Sequence, residues 1–137
     1  KKGDEMNNGK KIIAVDFDGT LCENAWPEIG AANRELINFI RVEKMTGHKL
    51  ILWTSRVGDR LNEAVEWCKQ QGLIFDAVNE NLPESIEAFG GDTRKIFADV
   101  YIDDGALGVP LTTSPSSVRP FVDWVKVREW LVKEGYL

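Results

Sequence analysis

With 137 residues, 43% hydrophobic and 28% charged, the chain has the composition of one soluble globular domain, long enough to bury about two-thirds of its unfolded surface. A formal net charge of −5 disfavours long nucleic acid, because phosphate backbones bind Lys/Arg-rich faces. It leaves a phosphorylated small molecule or macromolecule open, since a bound divalent cation inverts the local potential. No apolar run approaches the about 18 residues of a membrane span, and no signal-peptide pattern is present.

Residues 1–11 are polar and rich in Lys, Asn and Gly, and read as a flexible leader before a single domain over 12–137. The run Ile12-Ile13-Ala14-Val15 predicts a strand buried on both faces, ending abruptly in Asp16-Phe17-Asp18-Gly19-Thr20. Residues 21–28, with Trp26-Pro27, are expected to form a short loop. A helix is predicted from about Ile29 to Thr46, with Leu36, Ile37, Ile40 and Phe39 inward and Gly47 as its stop. Lys49 to Thr54 reads as a second strand, and about Asp59 to Gln71 as a second helix with Leu61, Ala64, Val65 and Cys68 at helical spacing. Leu73 to Val78 predicts a third strand. Polar, Gly-rich sequence follows over 79–96, with a short helical piece near Glu84 to Phe89. A fourth strand, Ala98 to Ile102, ends in Asp103-Asp104-Gly105, and Leu111 to Thr113 is a candidate fifth. The last helix is expected over about Pro120 to Glu134, burying Val122, Val125 and Leu131.

Strands alternating with helices predict βαβ units and a mainly parallel sheet. Right-handed crossovers then place every strand's carboxyl end on one edge, where open α/β sheets bind ligands. The polar clusters Asp16/Asp18, Thr54-Ser55-Arg56, Arg94-Lys95 and Asp103-Asp104 all belong to that edge. Adjacent carboxylates there repel one another unless a cation is present, and an oxygen-rich site of this kind suits Mg²⁺. Gly19 allows an unusual turn and close approach of a phosphate to the backbone, and the Thr20 hydroxyl can fix the loop. An EF-hand calcium loop also opens Asp-x-Asp, but it needs a preceding helix and a glycine at its sixth position, and neither is present. Cys22 and Cys68 lie far apart with no C-x-x-C, so they read as buried thiols in a reducing cytoplasm. His48 is the single histidine, which excludes multi-histidine metal sites.

The stretch Asp16-Phe17-Asp18-Gly19-Thr20 resembles the first motif of the haloacid dehalogenase superfamily, Asp-x-Asp-Gly-Thr. That family's later motifs are a Thr or Ser after an apolar strand, a Lys or Arg, and an acidic pair after another apolar strand. Thr54, Lys95 (with Arg94 as rival) and Asp103-Asp104 match them in order. The resemblance implies a three-layer Rossmann-like α/β fold with helices on both faces, and a Mg²⁺-dependent phosphatase acting through an aspartyl-phosphate. Asp16 would be the nucleophile, Asp18 the general acid and base, and Thr54 and Lys95 donors to the phosphoryl oxygens. Mg²⁺ would be held by Asp16, the main-chain carbonyl of Asp18 and Asp103, with Asp104 direct or through water. Family members that dehalogenate lack the second Asp, and P-type ATPases carry Thr there; Asp18 speaks against both.

Residues 21–28 and 79–94 are too short for the inserted cap domain found elsewhere in the superfamily, so the chain is similar to the capless branch, with an open site. Gly19, Thr20, Ser55, Arg56 and Trp26 are the candidate phosphate or substrate contacts. Trp26 could stack on a ring, and Arg56 could bind the substrate or form a surface ion pair. Trp53 reads as core, and Trp67, Trp124 and Trp130 as packing residues. A homo-oligomer could complete the open site. The alternative reading is a non-catalytic Mg²⁺/phosphate-binding regulatory module that kept the pocket.

Overall fold

The computed structural model describes residues 9–135, so the expected leader lies outside the described residues except for 9–11. Its centre is a four-stranded parallel sheet of β1 (Ile12–Val15), β4 (Lys49–Leu52), β5 (Ala77–Val78) and β6 (Val100–Ile102), in the order β5-β4-β1-β6. The remaining elements are β2 (Cys22–Ala25), β3 (Glu28–Ala32), α1 (Arg34–Met45), α2 (Gly58–Gln70), α3 (Pro83–Phe89), β7 (Leu111–Thr112), β8 (Phe121–Val122) and α4 (Trp124–Lys133). β1 is central because it is apolar on both faces. It pairs Val15 with Leu52 on one side and Ile102 on the other.

The alternation of β1 divides the core. Ile13 and Val15 join Leu50, Leu52 and Ile102 in a large cluster under α1, α2 and α4, where Leu36, Ile37, Ile40, Ala64, Cys68 and Leu131 are buried. Ile12 and Ala14 face the other way, with Ile51, Ala77, Leu82, Ile96 and Ala98. The fold is therefore α/β and Rossmann-like, with a sheet buried on both faces. Among the described residues no helix is long and apolar enough to cross a membrane.

Several expectations are corrected. Residues 21–28 are not a plain loop: β2 and β3 form an antiparallel hairpin whose tip holds a cis Trp26-Pro27 bond. The hairpin closes tightly because Gly30 has no side chain; a Cβ there would run into the Glu23 carbonyl. The first helix accordingly starts at Arg34, not Ile29, and Asn33 ties its entry to the carbonyls of Thr20 (2.9 Å) and Val122 (3.1 Å). The third strand shrinks to two residues, because the Asp76 carboxylate accepts from the Leu50 N–H (2.8 Å). Asp99 meets the Ile12 N–H in the same way (2.8 Å), ahead of β6. At the C-terminal end, β7 pairs with β8 in a separate antiparallel ribbon and adds nothing to the main sheet. The last helix begins at Trp124, after Asp123 caps the Lys126 N–H; Val122 is buried from the ribbon, and Val125 is exposed rather than buried.

Both thiols are buried and unpaired, and burial pushes each up to about 12, which keeps them neutral. Trp67 meets the Phe17 ring edge-on at 5.5 Å, Trp124 stacks on Phe39 at 4.4 Å, and Trp130 is half-exposed.

Candidate active site

Asp16 stands one residue beyond β1, its N–H donating to the Ile102 carbonyl (2.9 Å), so the end of β1 is locked to the end of β6. Asp103 follows β6 directly. That junction gathers carboxylate oxygens of Asp16, Asp103 and Asp104 within 4.8 Å of one another. Thr20 binds two of the three together: its hydroxyl donates to Asp16 Oδ2 (2.9 Å) and accepts from the Asp104 N–H (3.1 Å). Asp103 Oδ1 accepts from the Gly105 N–H (2.8 Å). The turn between these groups requires a glycine. Gly19 has φ +80°, and a side chain there would strike the Asp104 carboxylate and Asn24 Nδ2.

The trio is electrostatically costly as it stands. Burial, then the charge of Asp103, raises Asp16 from the ordinary carboxylate range to about 8, against the Thr20 hydrogen bond, which pulls it down. Asp103 is also raised, chiefly by burial, with the Gly105 N–H opposing. No ion pair joins the trio to a described Lys or Arg; the site's one ion pair runs to Asp18. Three hard oxygen donors, clustered and partly buried, with Asp16 and Asp103 raised toward neutrality, are the chemistry a small divalent cation satisfies. The trio can hold a metal ion.

Asp18 points elsewhere. Its two oxygens accept from Arg56 Nε (2.7 Å) and Nη2 (2.8 Å), a paired contact between residues 38 apart in sequence. Arg56, expected as a substrate contact or a surface ion pair, is only 2% exposed. Its remaining donors reach the carbonyls of Glu28 (2.9 Å), Pro27 (3.2 Å) and Arg60 (3.4 Å). The guanidinium is sandwiched between Phe17 and Trp26, its Cζ 5.0 Å from each ring centroid. One face of Trp26 is thus occupied by Arg56, while the residue stays 60% exposed at the hairpin tip.

Thr54 and Ser55 follow β4 and line the same cleft as Asp16. Thr54 Oγ1 accepts from the Arg56 N–H (3.1 Å), which leaves its own hydrogen free to donate. Its backbone N–H donates to the side chain of Asn79 (2.8 Å), a residue at φ +55° after β5. Asn79 escaped sequence reading as a site residue, although Asn tolerates the left-handed region better than most side chains.

Two connected cavities lie over these groups. An inner one of 270 Å³ is lined by Asp16, Trp53, Thr54, Ser55 and Asp103. Trp53 is therefore both packed against the smaller core and part of the site. An outer one of 470 Å³ shares Asp16, Thr54, Ser55 and Asp103 and extends to Asp18, Asp104, Asn24, Trp26 and Arg119. Lys95 lines neither: it is exposed, its Nζ 6.0 Å from the Tyr101 ring centroid, and Arg94 is exposed as well. Arg119 also went unrecognised in the sequence, where only its place after a Ser-Pro turn marks it.

No family model matches the chain, and no curated protein does. Among solved structures, the chain is similar to one described as the structure of the conserved protein coded by locus from Bacteroides thetaiotaomicron. The two are 36% identical, the alignment covers 92% of each chain, and the TM-score is 0.71. At that identity over nearly the whole length, the chain belongs to the family of this conserved Bacteroides protein.

Proposed function

We propose that this protein is a Mg²⁺-dependent phosphomonoester hydrolase of the haloacid dehalogenase type, without a cap domain, acting through an aspartyl-phosphate on Asp16. The observation that supports it best is the Asp16/Asp103/Asp104 trio at the carboxyl edge of a parallel sheet, lining one cavity with Thr54 and Ser55. Phosphoryl transfer requires positioning, charge neutralisation and proton delivery, and each has a residue here.

Thr20 fixes one oxygen of Asp16, which sets the angle from which the carboxylate attacks phosphorus. The bond to the leaving oxygen breaks as the Asp16–phosphorus bond forms, and Asp18 supplies the proton to the departing alkoxide. Water then attacks the phosphorus of the aspartyl-phosphate, Asp18 takes its proton, and inorganic phosphate leaves a regenerated carboxylate. Both Asp18 oxygens are engaged by Arg56, so proton transfer requires one of those hydrogen bonds to open. The Thr54 hydroxyl, oriented by the Arg56 N–H, donates to a phosphoryl oxygen. Mg²⁺, when bound, neutralises the trio and the phosphoryl charge.

The test is hydrolysis of a broad panel of phosphomonoesters with and without Mg²⁺. Asp16→Asn, nearly isosteric, should lower turnover at least about a hundredfold while keeping the native circular dichroism spectrum. Metal binding with no turnover on any ester would instead assign the site to a Mg²⁺/phosphate-binding regulatory module.

A further inference from the structure

Within the outer cavity, one charged group has no partner. Asp18 and Arg56 satisfy each other, but Arg119, an exposed residue that lines the cavity, makes no hydrogen bond or ion pair with any described residue. It lines only the outer cavity, together with Asp18 and Trp26, whereas Asp16, Thr54 and Ser55 line both cavities. A group attached beyond the reacting phosphate would occupy that outer part.

The backbone carrying Arg119 is held in place. The turn before it is pinned to buried Glu23 on β2, whose carboxylate oxygens accept from the Ser114 (2.8 Å) and Ser116 (2.7 Å) hydroxyls. The strand after it is pinned to the nucleophile's own turn, the Val122 N–H donating to the Gly19 carbonyl (2.9 Å). The same cavity is lined by Asn24, whose Nδ2 is buried and without a hydrogen-bond partner. A guanidinium fork without a partner and an unsatisfied amide donor, on residues that line one cavity, form a donor set for an anion.

Resting on the hydrolase reading above, we propose that Arg119 is a specificity-determining residue. It binds an anionic group on the leaving-group side, so that the preferred substrate carries a second negative charge besides the phosphate that is cleaved. Carboxylates and further phosphates share this chemistry, and the outer cavity admits either.

The test uses two esters of nearly equal shape, 4-carboxyphenyl phosphate and its neutral counterpart 4-carbamoylphenyl phosphate. With Mg²⁺ present, the wild-type protein should favour the carboxylate in kcat/KM by about tenfold, mainly through KM, as expected for one charge-assisted contact. In Arg119→Gln the ratio should fall to about one, and Arg119→Lys should restore part of it. A wild-type ratio near one, or a ratio that Arg119→Gln leaves intact while both rates fall together, overturns the proposal. The latter result would assign Arg119 to the transferred phosphoryl group or to the carboxylate trio. A calorimetric arm separates this inference from the hydrolase reading. Asp16→Asn should bind the carboxylated ester more tightly than the neutral one, and adding Arg119→Gln should remove the difference. If no ester is hydrolysed but that difference is found, the hydrolase reading fails and the anion site stands. Equal binding of the two esters overturns the site.

Discussion

Asp16 meets two carboxylates across the trio and only one side-chain hydroxyl that stabilises its charge, and its behaviour with pH follows from that environment. Its carboxyl is raised from 3.8 to about 8 in the folded, metal-free protein, so the folded state holds a proton that the unfolded chain releases. Stability therefore falls as pH rises from about 4 to about 8, because in that window the unfolded state binds fewer protons. A divalent cation displaces the proton, so its affinity should climb over the same window. Melting curves in chelator and in Mg²⁺ at several pH values check both trends. Asp16→Asn should flatten the metal-free slope, and an unchanged slope would move its origin to another group. Arg56 poses the opposite case, a buried cation with every donor engaged. Arg56→Ala leaves Asp18 and three carbonyls without their donor and should destabilise the fold by about 3 kcal/mol, measured by denaturant unfolding. Arg56→Lys should recover little, since an ammonium cannot reproduce the paired contact or the sandwich between two rings.

Among the elements, the β2–β3 hairpin carries the widest responsibility. Arg56 holds its tip through the Pro27 and Glu28 carbonyls, and Glu23 holds the β7–β8 turn through two serine hydroxyls. One short ribbon thereby positions Trp26, Asn24 and the loop that bears Arg119. Glu23→Ala removes the acceptor for both hydroxyls at a buried position, so residues 113–120 should open more often while the four-stranded sheet keeps its protection. Amide hydrogen exchange checks this directly. Faster exchange spread across β1 and β4 would mean that Glu23 supports the core instead.

For the whole molecule, the candidate metal site is set where β1 and β6 end side by side over two cores. Binding there should stabilise the entire fold, since the unfolded chain does not gather the trio. At a Mg²⁺ concentration about a hundred times Kd, linkage gives about 2.7 kcal/mol, or a rise in Tm of about 10 °C. Asp103→Ala and Asp104→Ala should each reduce that rise in a thermal-shift titration. A full rise in both variants would place the cation elsewhere.

The sequence by itself determined the parallel α/β arrangement and the carboxylates at its edge. Ile12 to Val15 are apolar on both faces, and Asp16, Asp103 and Asp104 are covalently fixed to the ends of β1 and β6, so pairing these two strands is enough to bring them together. Tertiary structure decided whatever depended on which distant segment a side chain meets. The pairing of Arg56 with Asp18, the hold of Asn79 on Thr54 and the presence of Arg119 in the outer cavity all join residues on separate elements, and no local spacing encodes them. The same limit hid the hairpin: Glu28 to Ala32 has little β propensity, and Gly30 becomes informative only when the Glu23 carbonyl lies against it. Local backbone chemistry survives in sequence because its partners are chain neighbours. The partner of a buried charge is chosen by the packing that surrounds it.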